Sequence, residues 1–545
     1  MLGRAEKPGN EKIFSYASGT IERKRLLQEI EKIKKEGAQE VPVVIAGNIV
    51  TTDDVEEVRC PHNHELVLGR VHFADAEQLC AAIDVALETR LRWASFDAHE
   101  RLDIFRKAAD LLAEHDRFRH VAMTMMTLSK NPYEAEYDVV ELVDFFRFNS
   151  YYAQMLYSQK LGQGADEINR LDWRPLEGFI LAISPFNFYS LGGNLATTSA
   201  LLGNVVIWKP ATSAAVINYE TMKLLMKAGL PNGVINFVPF RRKDVHILLK
   251  HPEFTGLHFT GSYDTLTDLW GEIGGSLKMY RNFPRIVGET GGKGFIFVHG
   301  SADLRSVAMS LIRGGFESQG QKCSAASRAY IPKSLWAPLK ALLQQELQKL
   351  SCGPVDDFKN FMGAVIDKEA FNKIIAFIEY AKSYPDYEIV CGGTYDSLKG
   401  WFVSPTVIST KNPEGKLMNE EIFGPVVTVY VYNDEKFEET LRLCNATSPY
   451  GLTGSFFGTD RDAIREAKRI LRYSAGNFYI NDKPTGSLVG RQPFGGARHS
   501  GTNDKTGFWL SLIRWLSPRT IKENTVLVDG WTRSFLEGGQ GRKTR

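Results

Sequence analysis

The sequence has no excess of one charge, no long apolar run and no cysteine pattern typical of metal sites. Its 66 Lys and Arg residues stand against 64 Asp and Glu residues, a net charge of +2, which gives no electrostatic reason to expect nucleic acid or an anionic membrane as partner. No run of about 18 apolar residues occurs, so no membrane span is predicted. The 6 cysteines are scattered without CxxC or Cys/His ligand spacing, which predicts no metal site and no structural disulfide, as in a reducing compartment.

The middle of the chain also lacks a dinucleotide-binding glycine pattern, although it has the rhythm of a nucleotide-binding sheet. No Gly-x-Gly-x-x-Gly occurs between positions 178 and 288. The alternation there of short apolar runs with helical stretches predicts βαβ units, a parallel sheet and ligands at the carboxyl ends of its strands. The predicted strands are Phe179–Ile183, Val205–Trp208, Ile235–Val238, Leu257–Phe259 and Arg285–Val287, and Thr212–Ala228 is a predicted helix that stops at Gly229.

What is present is a single cysteine in an unusual setting. Cys323 follows an amphipathic helical pattern that breaks at Gly314-Gly315 and again at Gly320. It stands among small residues beside Lys322, and a nearby cation favours the reactive thiolate form of cysteine. A lone cysteine in a long chain is more often an inert core residue, so this stretch alone leaves both interpretations open.

A second stretch upstream changes that balance. Glu289-Thr290-Gly291-Gly292-Lys293 sets a carboxylate among glycines, 34 residues before the cysteine. Glu-x-Gly-Gly-Lys followed by Gly-Gln-x-Cys at this separation resembles the aldehyde dehydrogenase superfamily, and the resemblance runs from about residue 40 to about 520. Other landmarks of that superfamily follow in order: Ser184-Pro185-Phe186-Asn187-Phe188, Trp208-Lys209-Pro210, Phe259-Thr260-Gly261-Ser262, Glu421-Ile422-Phe423-Gly424-Pro425 and Pro493-Phe494-Gly495-Gly496.

Finer features resemble one group within that superfamily, the glutamate-semialdehyde (1-pyrroline-5-carboxylate) dehydrogenases. They are the segments 141–149 and 476–482 and the tripeptide Thr485-Gly486-Ser487. This resemblance implies NAD-dependent oxidation of L-glutamate γ-semialdehyde to L-glutamate, the second step of proline catabolism. It also implies a homodimer or higher homo-oligomer, located in the mitochondrial matrix of a eukaryote or in the cytoplasm of a bacterium.

The resemblance implies an α/β fold with three parts. Residues 1–157 and 176–290 would form an NAD-binding domain with a parallel sheet, and residues 291–495 a second α/β domain that carries the nucleophile. Residues 158–175 and 496–525 would form a small β flap for oligomerisation, followed by a peripheral tail, 526–545. A length of 545 residues with 43% hydrophobic and 24% charged residues agrees with a folded chain of two or more domains.

The chemistry of aldehyde oxidation gives roles to three residues. Hydride does not leave a planar aldehyde carbon easily, so a nucleophile must first make that carbon tetrahedral, and Cys323 thiolate would form this thiohemiacetal. The Asn187 side-chain amide and the Cys323 backbone N–H would hold the oxyanion. Loss of hydride leaves a thioester, and the resemblance gives Glu289 the role of the base that activates water for its hydrolysis. Without the resemblance, Asn187 is an ordinary turn residue and Glu289 a loop carboxylate.

For the cofactor and the substrate, the candidate residues rest more heavily on the resemblance. Lys209 and Glu421 would bind the two riboses and Phe423 would pack at the nicotinamide. Thr212 stands where many NAD-preferring relatives carry a glutamate that repels NADP, so exclusion of NADP does not follow. The remaining cofactor candidates are Ser184, Gly261, Ser262, Tyr263, Asp264 and Thr265, where a helix N-terminus and the Ser262 hydroxyl would hold pyrophosphate. The substrate candidates are Ser324, Gly486 and Ser487 for the α-carboxylate, Phe188 and Phe494 for the aliphatic chain, and Glu141 for the ammonium.

Three alternatives remain open at the level of the sequence. The first keeps the fold but makes the chain a general aliphatic or CoA-acylating aldehyde dehydrogenase, although acylation of CoA needs no water-activating Glu289. The second is an ester hydrolase that uses Cys323 and Glu289 without a redox step, and the third is a non-catalytic scaffold. Any link to proline oxidation would require a separate proline dehydrogenase as partner. Residues 1–12 lack the amphipathic arginine face of a transit peptide.

Overall fold

A computed structural model describes residues 6–527, 530–531 and 535–536. Most of the predicted tail, 526–545, therefore lies outside the described residues. The elements of the first part of the chain are α1 (Ile21–Glu36), β1 (Gln39–Val41), β2 (Val43–Ile45), β3 (Asn48–Val50), β4 (Val55–Cys60), β5 (Asn63–His72), α2 (Ala76–Ser95), α3 (Ala98–Leu111), α4 (Arg117–Leu128) and α5 (Pro132–Tyr157).

The middle of the chain alternates strands and helices as its sequence predicts. Its elements are β6 (Glu167–Pro175), β7 (Phe179–Ile183), α6 (Tyr189–Ala200), β8 (Val205–Lys209), α7 (Ala215–Ala228), β9 (Ile235–Phe237), α8 (Val245–Leu249), β10 (Phe254–Thr260), α9 (Tyr263–Gly275) and β11 (Arg285–Glu289). All five predicted strands are confirmed. The predicted helix begins with a 3₁₀ turn at Thr212–Ala214 and ends at Gly229, whose φ of 101° is the left-handed value that glycine accepts without strain.

The last part of the chain is a second α/β unit. Its elements are β12 (Gly294–Val298), α10 (Leu304–Phe316), β13 (Ala326–Pro332), α11 (Lys333–Leu347), α12 (Lys368–Ser383), β14 (Tyr387–Cys391), β15 (Tyr395–Asp396), β16 (Phe402–Val403), β17 (Thr406–Thr410), α13 (Lys416–Asn419), β18 (Val426–Tyr432), α14 (Phe437–Thr447), β19 (Tyr450–Gly451), β20 (Thr453–Phe457), α15 (Arg461–Ile470), β21 (Asn477–Ile480), β22 (Ala497–Arg498), α16 (Trp509–Ile513) and β23 (Leu516–Asn524).

Two sheets of seven strands organise these elements. The first has the order β11-β10-β7-β8-β9-β2-β3. Its strands from β11 to β9 are parallel, β2 pairs antiparallel with β9, and β3 pairs antiparallel with β2. The second has the order β14-β17-β18-β13-β12-β20-β21 and is parallel except for β14. The predicted α/β class with parallel sheets is confirmed. In the first sheet the order reverses beside β7, which is where ligands bind in open α/β sheets.

A long two-stranded ribbon stands apart from both sheets. Strands β6 and β23 pair antiparallel over nine residues each, from Leu516 opposite Pro175 to Asn524 opposite Glu167. The segment Leu510–Trp515 predicts a strand from its sequence alone, and this prediction is wrong, because Trp509–Ile513 is a short helix and the strand starts at Leu516. Leu512 and Trp515 are buried while Leu510 is 41% exposed, and an apolar run with one face buried fits a helical turn as well as a strand.

Helix α10 differs from its prediction at one point that matters for the site. The sequence predicts a break at Gly314-Gly315, but the helix continues through both glycines to Phe316. Close packing explains the two glycines: a Cβ on Gly315 would lie 2.4 Å from a methyl group of Val427. The helix therefore passes close to β18 before the chain turns towards Cys323.

Three further observations bear on function. Among the described residues, no three His, Cys, Asp or Glu side chains come together in a way that could hold a metal ion. None of the described helices is both long enough and apolar enough to span a bilayer. The six cysteines, all within the described ranges, are free thiols.

Candidate active site

The loop that carries Cys323 is held in an uncommon conformation. Ser318, Gln319 and Gly320 have φ values of 54°, 56° and 63°, and the left-handed region is costly for residues other than glycine. The backbone N–H of Ser318 donates to Glu134 Oε1 at 2.7 Å, and Gln319 Nε2 donates to the Ser129 carbonyl at 2.7 Å. These buried contacts to the start of α5 offset the backbone strain and fix the path of the chain into Cys323.

Lys322 does not do what the sequence predicts for it. Its Nζ lies 3.3 Å from Glu317 Oε2, and both side chains are buried. The pKa of the Cys323 thiol is raised, first by burial and then by the negative charges of Glu289 and Glu421. The expectation that Lys322 favours a thiolate is therefore wrong for this structure, because the lysine charge is already paired with Glu317. A positively charged ligand bound beside Cys323 would lower the pKa of its thiol.

Asn187 faces the Cys323 loop from the end of β7. Its Nδ2 donates to the Gln321 carbonyl at 3.0 Å, and the side chain is 7% exposed. A side-chain amide has two N–H donors, so this bond orients the group and leaves one donor. The structure thus places the Asn187 amide beside the chain segment that ends in Cys323, with one N–H donor not used by Gln321.

Glu289 ends β11, beside the end of β10. Its Oε2 is buried and has no hydrogen-bond partner in the part of the chain that the structure describes. Burial raises the pKa of this carboxyl well above its usual value, the charge of Asp504 raises it further, and the charge of Lys505 lowers it. An unpartnered buried carboxyl costs stability, and such groups cluster at functional sites.

Lys505 is placed to tune this carboxyl. Its Nζ donates to the carbonyls of Gly476 and Gly495, each at 2.9 Å. A Cβ on Gly495 would lie 3.0 Å from Glu289 Oε1 and 3.3 Å from the backbone nitrogen of Lys505, so this glycine lies between the glutamate side chain and the Lys505 backbone. The sequence analysis missed Lys505, because nothing in the local sequence connects it to a residue more than 200 positions earlier.

We predict that Lys505→Met moves the pH dependence of the Glu289-dependent step to higher pH. Loss of the cation removes the charge that lowers the pKa of Glu289, so more alkali is needed to ionise the carboxyl. The measurement is the pH profile of steady turnover with an aldehyde. Lys505→Arg should keep the pH profile of the unaltered protein, and Asp504→Asn should move the profile to lower pH. A uniform loss of rate at every pH in Lys505→Met would contradict this prediction.

The carboxyl ends of the first sheet bring together several of the predicted cofactor residues. Ser184 follows β7, Lys209 ends β8, Gly261 follows β10 and Glu289 ends β11. Burial lowers the pKa of Lys209 to about 8, with a smaller contribution from Arg241. A buried lysine at the carboxyl edge of a parallel sheet fits a role in binding hydroxyl or phosphate groups of a nucleotide.

The hydroxyl of Ser262 contacts the helix that it precedes. Its Oγ accepts a hydrogen bond from the Thr265 backbone N–H at 3.2 Å and donates to Thr265 Oγ1 at 2.8 Å. Ser262 is therefore the N-cap of α9, and its hydroxyl serves its own helix. The amides at this N-terminus, from Tyr263 and Asp264, stay available for an anion. The Tyr263 ring stacks on His499 with centroids 4.1 Å apart.

Glu421 and Phe423 also lie close to the loop that carries Cys323. The Gly292 backbone N–H donates to Glu421 Oε1 at 2.7 Å, and a Cβ on Gly291 would lie 2.2 Å from Glu421 Oε2. The two glycines of Glu-x-Gly-Gly-Lys therefore make room for this carboxylate. Phe423 has a left-handed φ of 56° and packs edge-on against Phe186, with centroids 5.9 Å apart.

The predicted substrate residues share one cavity of about 280 Å³ with the thiol. Its lining includes Cys323 together with all six of them: Glu141, Phe188, Ser324, Gly486, Ser487 and Phe494. Tyr137 and Phe145 also line it, and the sequence analysis missed both. They stand four residues before and four after Glu141 on α5, so helical periodicity alone would have placed them on the same face.

The loop from 484 to 488, here called the anchor loop, is held from α5 and from the segment after Cys323. The Tyr137 hydroxyl donates to the Ser487 carbonyl at 2.5 Å, and the Ser324 and Thr485 hydroxyl oxygens lie 2.8 Å apart. Gly486 has a φ of 88°, which a residue with a side chain adopts only under strain. These contacts fix the backbone of the anchor loop, whose Gly486 and Ser487 line the cavity.

Glu141 is one of three glutamates that line this cavity, together with Glu134 and Glu317. Burial raises its pKa to about 8, while the Ser190 hydroxyl, which donates to Glu141 Oε2 at 2.5 Å, acts in the opposite direction. A buried carboxyl is ionised most easily when a cation binds beside it. The site therefore favours a ligand that carries a positive charge at this position.

Comparison with known proteins identifies the family of the chain. The aldehyde dehydrogenase family matches residues 49–521 of the chain. The chain belongs to the aldehyde dehydrogenase family. The prediction made from the Glu-x-Gly-Gly-Lys and Gly-Gln-x-Cys pair is confirmed.

Individual relatives narrow the similarity. The chain is 47% identical over 534 residues to the mitochondrial delta-1-pyrroline-5-carboxylate dehydrogenase of Dictyostelium discoideum, covering 97% of this chain and 96% of that one. A crystal structure of the Delta-pyrroline-5-carboxylate dehydrogenase from Mycobacterium tuberculosis bound with NAD superimposes with a TM-score of 0.94 at 43% identity, covering 98% and 99% of the two chains. Proline utilization A from Bdellovibrio bacteriovorus matches at 28% identity with a TM-score of 0.91, and the match covers 97% of this chain but 54% of that one.

Proposed function

We propose that this aldehyde dehydrogenase oxidises L-glutamate γ-semialdehyde, the open form of 1-pyrroline-5-carboxylate, to L-glutamate with NAD. One observation carries the proposal: a single cavity contains the Cys323 thiol, the donors of Ser324, Gly486 and Ser487, and the Glu141 carboxyl. These groups complement an aldehyde that also bears an α-carboxylate and an α-ammonium. The names of the most similar relatives support the same substrate.

The first step assigned to the chain is attack of the Cys323 sulfur on the aldehyde carbon. A bond forms between sulfur and carbon, and the carbonyl oxygen becomes an oxyanion held by the Asn187 side-chain amide and the Cys323 backbone N–H. One positioned oxyanion donor is worth roughly 3–4 kcal/mol in comparable acyl-transfer sites. Asn187 is pre-oriented for this task by its bond to Gln321, so little reorganisation accompanies the reaction.

NAD, when bound, accepts the hydride that leaves the tetrahedral carbon. The edge formed by β7, β8 and β10 fits such a dinucleotide, because three parallel strands end there next to the N-terminus of α9. We assign Lys209 and Glu421 to the riboses, Phe423 to the nicotinamide end, and Ser184 with Gly261 and residues 262–265 to the rest of the cofactor. For Ser262 the assignment includes its hydroxyl, which lies at the N-terminus of α9 and accepts from the Thr265 N–H.

Glu289 is assigned to the last step, hydrolysis of the thioester on Cys323. In its ionised form Glu289 removes a proton from water as the oxygen attacks the acyl carbon, and the carbon–sulfur bond then breaks to release L-glutamate. The unpartnered Oε2 is free to accept that proton. This feature favours hydrolysis over transfer to CoA, which would need no such base.

The arrangement of the substrate follows from the lining of the cavity. Ser324 and Ser487 hydroxyls with the Gly486 N–H would hold the α-carboxylate, Glu141 the ammonium, and the rings of Phe188 and Phe494 the aliphatic chain. Lys130 Nζ lies 4.0 Å from the centroid of the Phe188 ring and bonds to Asp138 at 2.6 Å. This buried contact restricts the position of the Phe188 ring and so defines one side of the channel to the thiol.

We predict that Ser487→Ala lowers kcat/KM for glutamate semialdehyde about 10- to 150-fold, because it deletes a charge-assisted hydrogen bond worth roughly 1.5–3 kcal/mol. The measurement compares NADH formation from glutamate semialdehyde and from propanal, which has no carboxylate. Propanal should be oxidised as well by the variant as by the unaltered protein. Equal losses on both substrates would indicate a distorted anchor loop instead of a lost carboxylate contact.

The domain boundaries, the assembly and the compartment are also proposals. The proposed NAD-binding domain contains the first sheet, the proposed catalytic domain contains the second sheet, and the proposed flap contains the β6–β23 ribbon. An isolated two-stranded ribbon is marginally stable in water, and Ile168 on β6 is 44% exposed; pairing with another subunit would cover it, which supports a homodimer or larger assembly. In a eukaryote we expect the mitochondrial matrix and functional coupling to a separate proline dehydrogenase.

A further inference from the structure

Residues 8–16, here called the N-terminal arm, lie across α4 and α5 without forming a helix or strand. The end of the arm nearest α1 is fixed to a buried carboxylate of α5. The Phe14 N–H donates to Glu136 Oε1 at 2.9 Å and the Tyr16 hydroxyl to Glu136 Oε2 at 2.6 Å. The guanidinium of Arg117 lies 3.9 Å from the centroid of the Phe14 ring and also pairs with Glu136. This end of the arm is therefore firmly placed.

The other end of the arm joins α5 to the chain that follows the anchor loop. Asn10 Nδ2 donates to Asp144 Oδ2 and to the Val489 carbonyl, both at 2.8 Å, and Arg491 Nε donates to Asn10 Oδ1 at 3.0 Å. The Glu11 N–H donates to Asp144 Oδ1 at 2.8 Å. The arm thus bridges two elements that both contribute walls to the substrate cavity.

Ile13 lies between these two sets of contacts and reaches the cavity itself. It lines the cavity together with the apolar side chains of Phe145, Leu191 and Val489. It carries no group that could react, accept a proton or bind a charge. An apolar side chain held in such a position by hydrogen bonds on both sides acts through its volume, since a cavity wall excludes ligands that would overlap it.

We infer that Ile13 is a specificity-determining residue, an apolar wall through which the N-terminal arm limits the length of the aldehyde that the cavity accepts. This inference rests on the proposed function for the identity of the natural substrate. The wall itself acts on any aldehyde that enters the cavity, so it can be tested apart from glutamate semialdehyde. A substrate with a longer chain would overlap Ile13, whereas a shorter one would leave the wall unfilled.

The test compares hexanal with propanal for Ile13→Ala, Ile13→Trp and Ile13→Leu, with NADH formation as readout. One methylene more or less in an apolar pocket changes selectivity roughly 10- to 200-fold. The ratio of kcat/KM for hexanal to that for propanal should rise by about this factor in Ile13→Ala and fall by at least as much in Ile13→Trp. Ile13→Leu should stay within about twofold of the unaltered protein. Ile21→Trp is the matched control, because Ile21 is 62% exposed and does not line the cavity, and its ratio should not change.

Two results would overturn the inference. One is an unchanged hexanal-to-propanal ratio in both Ile13→Ala and Ile13→Trp. The other is an equal loss on both aldehydes in Ile13→Trp, which would show that the arm supports the fold and does not select the substrate. An unaltered protein that oxidises both simple aldehydes but not glutamate semialdehyde would instead remove the proposed function, while the ratios in the variants would still decide the role of Ile13.

Discussion

Cys323→Ala is expected to reduce dehydrogenase turnover below about a thousandth of the unaltered rate, because it removes the nucleophile assigned to the covalent tetrahedral adduct. Binding of NAD should be nearly unaffected, since the residues assigned to the cofactor lie at the carboxyl edge of the first sheet and around Glu421. The measurements are steady-state NADH formation with an aldehyde and the dissociation constant of NAD. Steady turnover above that limit would contradict the role of Cys323 as nucleophile.

A matched control separates the loss of this thiol from the loss of any cysteine. Cys80→Ala removes an exposed thiol of α2 and should leave turnover unchanged.

The raised pKa of Cys323 gives a further expectation, that alkylation by iodoacetamide is slow in the free protein. If NAD, with its positively charged nicotinamide, lowers this pKa as it binds, alkylation should become faster in the presence of NAD.

Glu289→Gln is expected to separate the two halves of the reaction. Formation of the thioester does not need the base, so a burst of about one NADH per subunit should appear. Turnover should then stop, because glutamine cannot take a proton from water. Rapid mixing with NAD and an aldehyde measures the burst, and mass spectrometry of the stalled protein should find the acyl group on Cys323.

Glu253→Gln is the control for this experiment. Glu253 is a partly buried carboxylate that pairs with Arg281 at 2.6 Å, and it precedes β10 at the opposite end of the sheet from Glu289. It should retain both the burst and the steady rate. If Glu289→Gln loses the burst together with the turnover, then Glu289 activates the thiol or holds the cofactor, and its assignment to thioester hydrolysis is wrong.

The strands of the first sheet could be predicted closely from the sequence. Phe179–Ile183 is bounded by Gly178 and Ser184-Pro185, and a short apolar run with such limits has little alternative to a buried strand. Leu510–Trp515 lacks such limits, and a run of six residues fits either a helical turn or a strand. The outcome there depended on the packing of Leu512 and Trp515, which the local sequence does not contain.

In the candidate site, the sequence identified residues that belong to short motifs and missed contacts that no motif contains. The motifs contain Cys323 and Ser487, which line one cavity, and Asn187, whose amide bonds to the Gln321 carbonyl two residues before Cys323. The pairing of Lys322 with Glu317, however, depends on the turn that follows α10. Lys505 near Glu289 and Ile13 in the substrate cavity are joined to the site by separations of more than 200 residues, and side chains at such distances meet only in the folded chain.

The most direct test of the proposed function is one kinetic comparison on the unaltered protein. It measures kcat/KM with NAD for L-glutamate γ-semialdehyde and for propanal under the same conditions. We expect the semialdehyde to be preferred by at least about a hundredfold, because its carboxylate and ammonium add two charge-assisted contacts of roughly 1.5–3 kcal/mol each. L-glutamate should appear in equal amount to NADH. Equal kcat/KM values for the two aldehydes, or NADH formation without L-glutamate, would contradict the proposal.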